Sequence, residues 1–374
     1  MEDLEACGAD ARLYLKPVGL VDSPHYHEDK NTRLNNSLIW FSQIEYLVIE
    51  SGRPNRRGLV NITRWPEWSN ALPEPLARRA ATQFADLTRQ HEPLICGERV
   101  IRFDQPHVMG ILNITPDSFS DGGKHQNDPD KVAEAGLAMA AAGASILDIG
   151  GESTRPGADP VWEGDEIKRV VPVIERLAHC GAVLSIDTRK AAVMEAAIAA
   201  GAHLINDVSA LLHDKRSLEV AGVSGLPVVL MHAPSSGKDP HQNDGYGNIV
   251  TDTLDWLERR IADVIAAGFE REKIIIDPGL GFGKSLADNL ALMNNIAMFH
   301  TLGQPLLIGA SRKRMIGALS KEAPVDQRLG GSIAFAHHAI QQGAQIVRVH
   351  DVPETVQALQ VWRGMRDAGL TAPV

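Results

Sequence analysis

A chain of 374 residues, 44% of them hydrophobic and 22% charged, can bury a large core, which excludes a mini-protein or a disordered tail. A net charge of -10 and a pI near 5.8 argue against nucleic acid as a partner. The three cysteines, Cys7, Cys96 and Cys180, are scattered and odd in number, and no apolar run reaches roughly 18 residues, so the expected setting is a reducing cytoplasm without a membrane anchor.

Residues 1–105 differ in texture from the rest and read as an N-terminal extension of mixed α+β structure and unknown role. They hold three of the six tryptophans, Trp40, Trp65 and Trp68, and few glycines. Ser37 to Glu50 is rich in aromatic and branched residues, as strands are, whereas Leu76, Ala80, Phe84 and Leu87 recur at helical spacing within Pro75 to Gln90. Neither stretch carries a chemical motif.

Residues 106–374 change to short apolar runs alternating with amphipathic helices, the pattern of a parallel sheet with helical crossovers. Eight runs are predicted as strands: Val108 to Leu112, Ser145 to Ile149, Val183 to Ile186, His203 to Ile205, Pro227 to Leu230, Lys273 to Ile276, Pro305 to Ile308 and Ile346 to Val349. Between them lie helical stretches such as Asp130 to Ala142, Gly164 to Ala178, Val250 to Ala267 and Pro353 to Ala368. A faint repeat runs through them: Gly143-Ala144-Ser145-Ile146-Leu147-Asp148 is echoed at Gly201 to Asn206 and at Gly343 to Arg348, a capping glycine leading into each strand. Eight units in this span match the roughly 250 residues of a closed eight-stranded β/α (TIM) barrel. An open doubly wound sheet is the alternative.

In such barrels the active site lies at the C-terminal strand ends, where loops vary freely above a packed interior. The residues to inspect are Asn113, Gly151 to Ser153, Asp187, Asn206-Asp207, Met231-His232, Asp277, Ser311 to Lys313, Arg348 and His350. Any single Asp or Asn there could simply cap the next helix, a reading that stays open for Asp187 and Asp207. Gly283-Lys284-Ser285 invites a phosphate-loop reading, which fails because Pro278 stands where that loop requires glycine.

In order along the chain, VMGILNITPDSFSDGG (Val108 to Gly123), GGESTRPG (Gly150 to Gly157), SIDT (Ser185 to Thr188), IND (Ile205 to Asp207), DPGLGFGK (Asp277 to Lys284), SRKR (Ser311 to Arg314) and RVHD (Arg348 to Asp351) resemble the dihydropteroate synthase series. The resemblance covers 107–368; residues 1 to about 100 match neither that core nor the domains sometimes fused to it. It implies condensation of (7,8-dihydropterin-6-yl)methyl diphosphate with 4-aminobenzoate, a magnesium ion, a sulfonamide-sensitive site and a homodimer. It assigns Asp277 to accept from both the amine and the ring N-H of the pterin, Asn206 to serve the ring as both donor and acceptor, Asp187 to the opposite edge, Lys313 to the carbonyl side and Met231 to the ring face. Arg348, His350 and Asn113 would serve the diphosphate, with Asn113 also holding the metal, and Val349 is counted among the substrate-binding residues. Phe119, Thr154 and Pro156 would shape the aminobenzoate pocket, and Arg155 would serve phosphate binding or closure. For Phe119, plain loop packing competes.

The chemistry of these side chains suits that task. A carboxylate accepts two parallel hydrogen bonds from an amine and a ring N-H, and a departing diphosphate needs fixed donors and cations. The nucleophile is an aniline, neutral at pH 7, so no strong base is required. Two rivals remain: a methyltetrahydrofolate-corrinoid methyltransferase-like barrel, which lacks the TPDSFSDGG and ESTRPG loops, and an inactive paralogue acting as a binding module through its extension. Ala233 to Asn248 departs from the family pattern, and no role is placed on it.

Overall fold

The computed structural model describes residues 4, 7–8, 10–23, 30–51, 55–114, 128–153, 157–234, 241 and 245–371. Eight parallel strands run in the order of the sequence: His107–Asn113, Ile146–Gly150, Val183–Asp187, Leu204–Asp207, Val228–Met231, Ile274–Asp277, Leu307–Ile308 and Ile346–Val349. Each pairs with its predecessor except the short seventh, and the eighth returns to the first, Arg348 opposite Met109. A single bridge, Ile276 to Leu306, with the Ile276 N-H donating to the Pro305 carbonyl at 3.0 Å, closes the sixth strand onto the seventh. The result is the eight-stranded β/α barrel expected, and the open-sheet alternative is set aside.

The strands form where branched residues run together, and each is followed by a helix on the outside. Val347, Val349, Ile149, Ile186, Ile205, Leu230 and Ile276 join the large apolar cluster that those helices complete. The glycines of the repeat do what the repeat suggests. Gly143, Gly201 and Gly343 have φ of +107°, +107° and +90°, a region costly for other residues, and turn the chain from helix end into strand.

The lower end of the barrel is sealed by residues from before the predicted barrel. A hairpin of Leu94–Cys96 and Arg99–Ile101, with Gly97 at φ +65° in its turn, sends Leu94, Cys96 and Ile101 together with Phe103 against the first inward residues of the strands. Arg99 pins it by donating to the Ala178 carbonyl at 2.7 Å.

The rest of the extension is a three-stranded antiparallel sheet, Arg12–Val18, Gln43–Ile49 and Arg56–Asn61, with the helix Glu74–Thr88. Leu76, Ala80 and Leu87 of that helix are buried, as their spacing suggests. Tyr46, Trp68, Trp65 and Phe84 form a chain of aromatic contacts, stacked at Trp65–Phe84, and the guanidinium groups of Arg33 and Arg366 lie 5.1 and 5.7 Å from the centre of the Trp40 ring. The sheet docks on the helix Ile249–Ala266: Tyr14 donates to Asp255 at 2.9 Å, and Arg12 and Arg79 reach Glu258 at 2.5 and 3.1 Å. Its apolar side continues into the same core as the barrel's helices. No helix among the described residues is long and apolar enough to cross a membrane.

Candidate active site

Side chains alternate along a strand, so every second residue of a barrel strand points inward. The first inward layer is wholly apolar: Met109, Ile146, Val183, Leu204, Val229, Ile275, Leu307 and Ile346. Two residues further on each strand the same parity gives Ile111, Asp148, Ser185, Asn206, Met231, Asp277, Gly309 and Arg348. Two further gives Asn113, Gly150, Asp187, Val208, Ala233, Gly279, Ser311 and His350. The polar mouth is therefore the upper two floors of a barrel whose lowest floor is hydrocarbon.

Asn113, Asp187, Asn206, Met231, Asp277, Arg348 and His350 all stand on this inward parity, and Lys313 arrives from the loop after the seventh strand. Val349 has the opposite parity; its side chain lies with Val347 and Val352 in the cluster facing the helices, which leaves only its backbone toward the mouth. Phe119, Thr154, Arg155 and Pro156 lie outside the described residues.

Asp148, which sequence reasoning did not single out, organises the centre. It is fully buried and accepts from Ser185 Oγ at 2.6 Å, Asn206 Nδ2 at 3.0 Å and Arg348 Nε at 2.6 Å. A carboxylate only accepts, so it turns the Asn206 amide nitrogen toward itself and presents the Asn206 carbonyl to the mouth. Arg348 also donates from Nη2 to Asp187 at 2.7 Å. Burial works against the charge of Arg348, but Asp148 and Asp187 hold its pKa above the ordinary value. Burial pushes the Asp187 carboxyl up to about 7, with Arg348 opposing the rise and Asp148 adding to it. Asp187 thus pairs with arginine instead of capping. Asp207 does serve a turn, accepting from Ser209 N, Ser209 Oγ and Leu211 N at 2.7, 2.6 and 3.0 Å.

On the other side, Asp277 takes the Gly279 N-H at 2.7 Å on Oδ1, and Oδ2 has no hydrogen-bond partner among the described residues. Burial raises the Asp277 carboxyl, opposed chiefly by Lys313. Burial lowers the Lys313 amine to about 8, opposed by Asp277. That amine donates to the Leu280 carbonyl and lies 5.0 Å from the centre of the Phe282 ring. Met231, Val208 and Ala233 form a small apolar cluster with Phe282 against it. The mouth thus sets an apolar wall beside the acceptors of Asp277 and Asn206. His350 is held by Ser311, whose Oγ lies 3.1 Å from Nδ1.

Two comparisons bear on what such a mouth belongs to. The pterin binding enzyme family matches residues 109–350. The dihydropteroate synthase of Escherichia coli strain K12 is 48% identical over 257 residues, spanning 68% of this chain and 90% of that protein. The chain belongs to the dihydropteroate synthase family. Solved synthases agree in shape as well as sequence. That of Xanthomonas albilineans with 4-aminobenzoic acid superposes with a TM-score of 0.70 at 44% identity, covering 76% of this chain and all of its own. The same organism's enzyme in complex with 7,8-dihydropteroate gives 0.67 at 43%, covering 75% and 100%. The family match starts at residue 109, so the extension lies before it.

The synthase motifs also carry a charged cluster at the rim, around Glu152, which the sequence placed among the residues to inspect without giving it a role. Glu152 accepts from Arg189 Nε at 3.1 Å, Lys190 Nζ at 2.9 Å and the Val161 N-H at 3.0 Å, and Lys190 reaches on to Glu166 at 2.6 Å. Burial works against ionisation of Glu152, but these donors hold its carboxyl below the usual range. Glu152, inside the GESTRPG motif, and Val161 are thereby fastened to Arg189 and Lys190 in the loop after the third strand.

Proposed function

We propose that this chain condenses (7,8-dihydropterin-6-yl)methyl diphosphate with 4-aminobenzoate, giving 7,8-dihydropteroate and diphosphate, the reaction that its family membership names. The observation that carries the reading is the pair of buried acceptors, Asp277 Oδ2 and the Asn206 carbonyl, beside an apolar wall. The pterin amine and ring N-H satisfy them, and an analogue lacking either donor leaves a buried acceptor unpaired. Lys313 meets the ring carbonyl, and Asp187, with a carboxyl that changes state near neutrality, meets the opposite edge.

At the leaving group Arg348 has Nη1 still to give once Nε and Nη2 are committed to Asp148 and Asp187. His350 and Asn113 stand on the same floor. Their donors stabilise the charge that grows on diphosphate as the carbon-oxygen bond breaks, leaving a cation-like pterin methylene for the aniline nitrogen to attack. Magnesium suits this corner: the Asn113 amide supplies one hard oxygen, and no group of three His, Cys, Asp or Glu among the described residues could hold a metal unaided. The ion would therefore enter with the diphosphate, whose charge it neutralises. Phe119, Thr154, Arg155 and Pro156 remain assigned to the second substrate and to closure on the strength of the resemblance. The same resemblance motivates a homodimer and a cytoplasmic setting.

The test is diphosphate release by the purified chain with the dihydropterin substrate and magnesium, with and without 4-aminobenzoate. Release that depends on 4-aminobenzoate and collapses in Asp277→Ala and Lys313→Ala is expected, with sulfonamides competing against 4-aminobenzoate. Folded protein that binds pterin without turnover, or inhibition competing with pterin instead, would sink the reading.

A further inference from the structure

The Gly283-Lys284-Ser285 stretch cannot work as a phosphate loop, yet it is built into the mouth from below. We infer that Lys284 is a positioning residue for the pterin: by gathering three backbone carbonyls, it holds the turn Gly279 to Phe282 in the conformation that aims Asp277 and Lys313 at the ring. The inference rests on the pterin being the ligand of this mouth.

The Lys284 ammonium uses all three of its donors. It reaches the carbonyls of Gly279 at 2.8 Å, Phe282 at 3.1 Å and His232 at 3.2 Å. His232 follows the fifth strand and the other two follow the sixth, so one cation bolts neighbouring loops together. They meet as closely as backbone allows: a Cβ on Gly279, whose φ is +71°, would fall 1.8 Å from the His232 oxygen. Other polar groups of the turn are committed as well. The Gly279 N-H orients Asp277, the Leu280 carbonyl receives Lys313, and the Gly281 N-H donates to Asn289 Oδ1 at 2.6 Å. Asn289 in turn holds the Lys284 and Ser285 carbonyls at 3.1 and 2.7 Å.

The turn is thus the only covalent link between Asp277 and the lysine that braces it, and it touches both pterin-facing groups through its backbone. Without the ammonium, three convergent carbonyl dipoles would repel one another and the turn would relax, carrying the Asp277 carboxylate and the Lys313 anchor with it. Burial lowers the Lys284 amine to about 7, with Asp277 and Asp288 favouring the charge and Lys313 opposing it.

The experiment compares Lys284→Met, Lys284→Arg and Asn289→Ala with wild type in dihydropterin diphosphate affinity, KM for 4-aminobenzoate and melting temperature. Lys284→Met should weaken pterin binding by about tenfold or more while the KM for 4-aminobenzoate stays within about twofold, because the two groups that the turn aims, Asp277 and Lys313, are assigned to the pterin. Lys284→Arg keeps the charge and several donors and should recover most of that loss; Asn289→Ala should show the same selective defect, smaller. Unchanged pterin affinity in Lys284→Met would overturn the inference, as would a fall in both substrates that simply tracks the melting temperature. Should the methionine variant not fold, the other two decide, and unchanged pterin affinity in both overturns it. Wild type that binds no pterin would instead strike the functional reading on which the inference rests.

Discussion

The two ends of the barrel are made from the same eight strands and solve opposite problems. At the lower end eight apolar side chains meet Leu94, Cys96, Ile101 and Phe103 and need only fill space. Two to four residues higher, the same inward parity brings Asp148 and Asp187 onto one guanidinium, that of Arg348, where removing the arginine strands both acids. The lower end can therefore be damaged without touching chemistry, and the upper end cannot be altered without touching both. Stability at one end comes from volume, and at the other from completeness of a polar network.

Arg348→Met should break this contrast most sharply. It leaves Asp148 and Asp187 buried without their cation, and loss of about 3–5 kcal/mol is expected in denaturant unfolding. Removal of a donor from the leaving group should lower kcat by about 100-fold or more as well. A variant that kept wild-type turnover would show that the network is structural only.

Phe103→Ala probes the other end. The cavity should destabilise the fold by about 3–5 kcal/mol, with kcat/KM unchanged at a temperature where the variant stays folded. A loss of activity exceeding the loss of folded protein would mean that the two ends are coupled.

The smallest effect separates the ends by pH. Unfolded Asp187 ionises near about 4, and the folded carboxyl only near about 7, so its neutral form stabilises the fold at low pH. That contribution is lost as pH rises from about 4 to about 7. The melting temperature of Asp187→Asn, which cannot ionise, should therefore gain on wild type through that window and run parallel above it. A gap independent of pH would show that Asp187 keeps an ordinary carboxyl.

Much of the upper end was legible because strand ends in a barrel converge whatever their sequence, so polar residues just past apolar runs were the right ones to inspect. Asp148 escaped because it lies within the run Ile146–Gly150, where an Asp between two isoleucine-rich pairs looks like a residue on a helix-facing strand. The repeat held the missing signal. Asp148, Asn206 and Arg348 are its three sixth positions, and Asp148 bonds to both of the others. The hairpin that seals the floor was hidden for a different reason. Its strands are three residues each, with Ile95 and Val100 exposed, too short for a period of two to register. The strand Arg12–Val18 was equally quiet, interrupted by Lys16 and Pro17. Val349 shows the limit of motif reading: it sits between two mouth residues and faces away.

Asp148 and Arg348 are 200 residues apart in the chain. On a ribosome adding roughly 5–20 residues each second, the acid emerges some tens of seconds before its cation. Throughout that interval the nascent barrel has an anion at its centre and no last strand to neutralise it, so premature closure is disfavoured. The pair that completes the mouth can therefore form only once the eighth strand, which returns to the first, has been made.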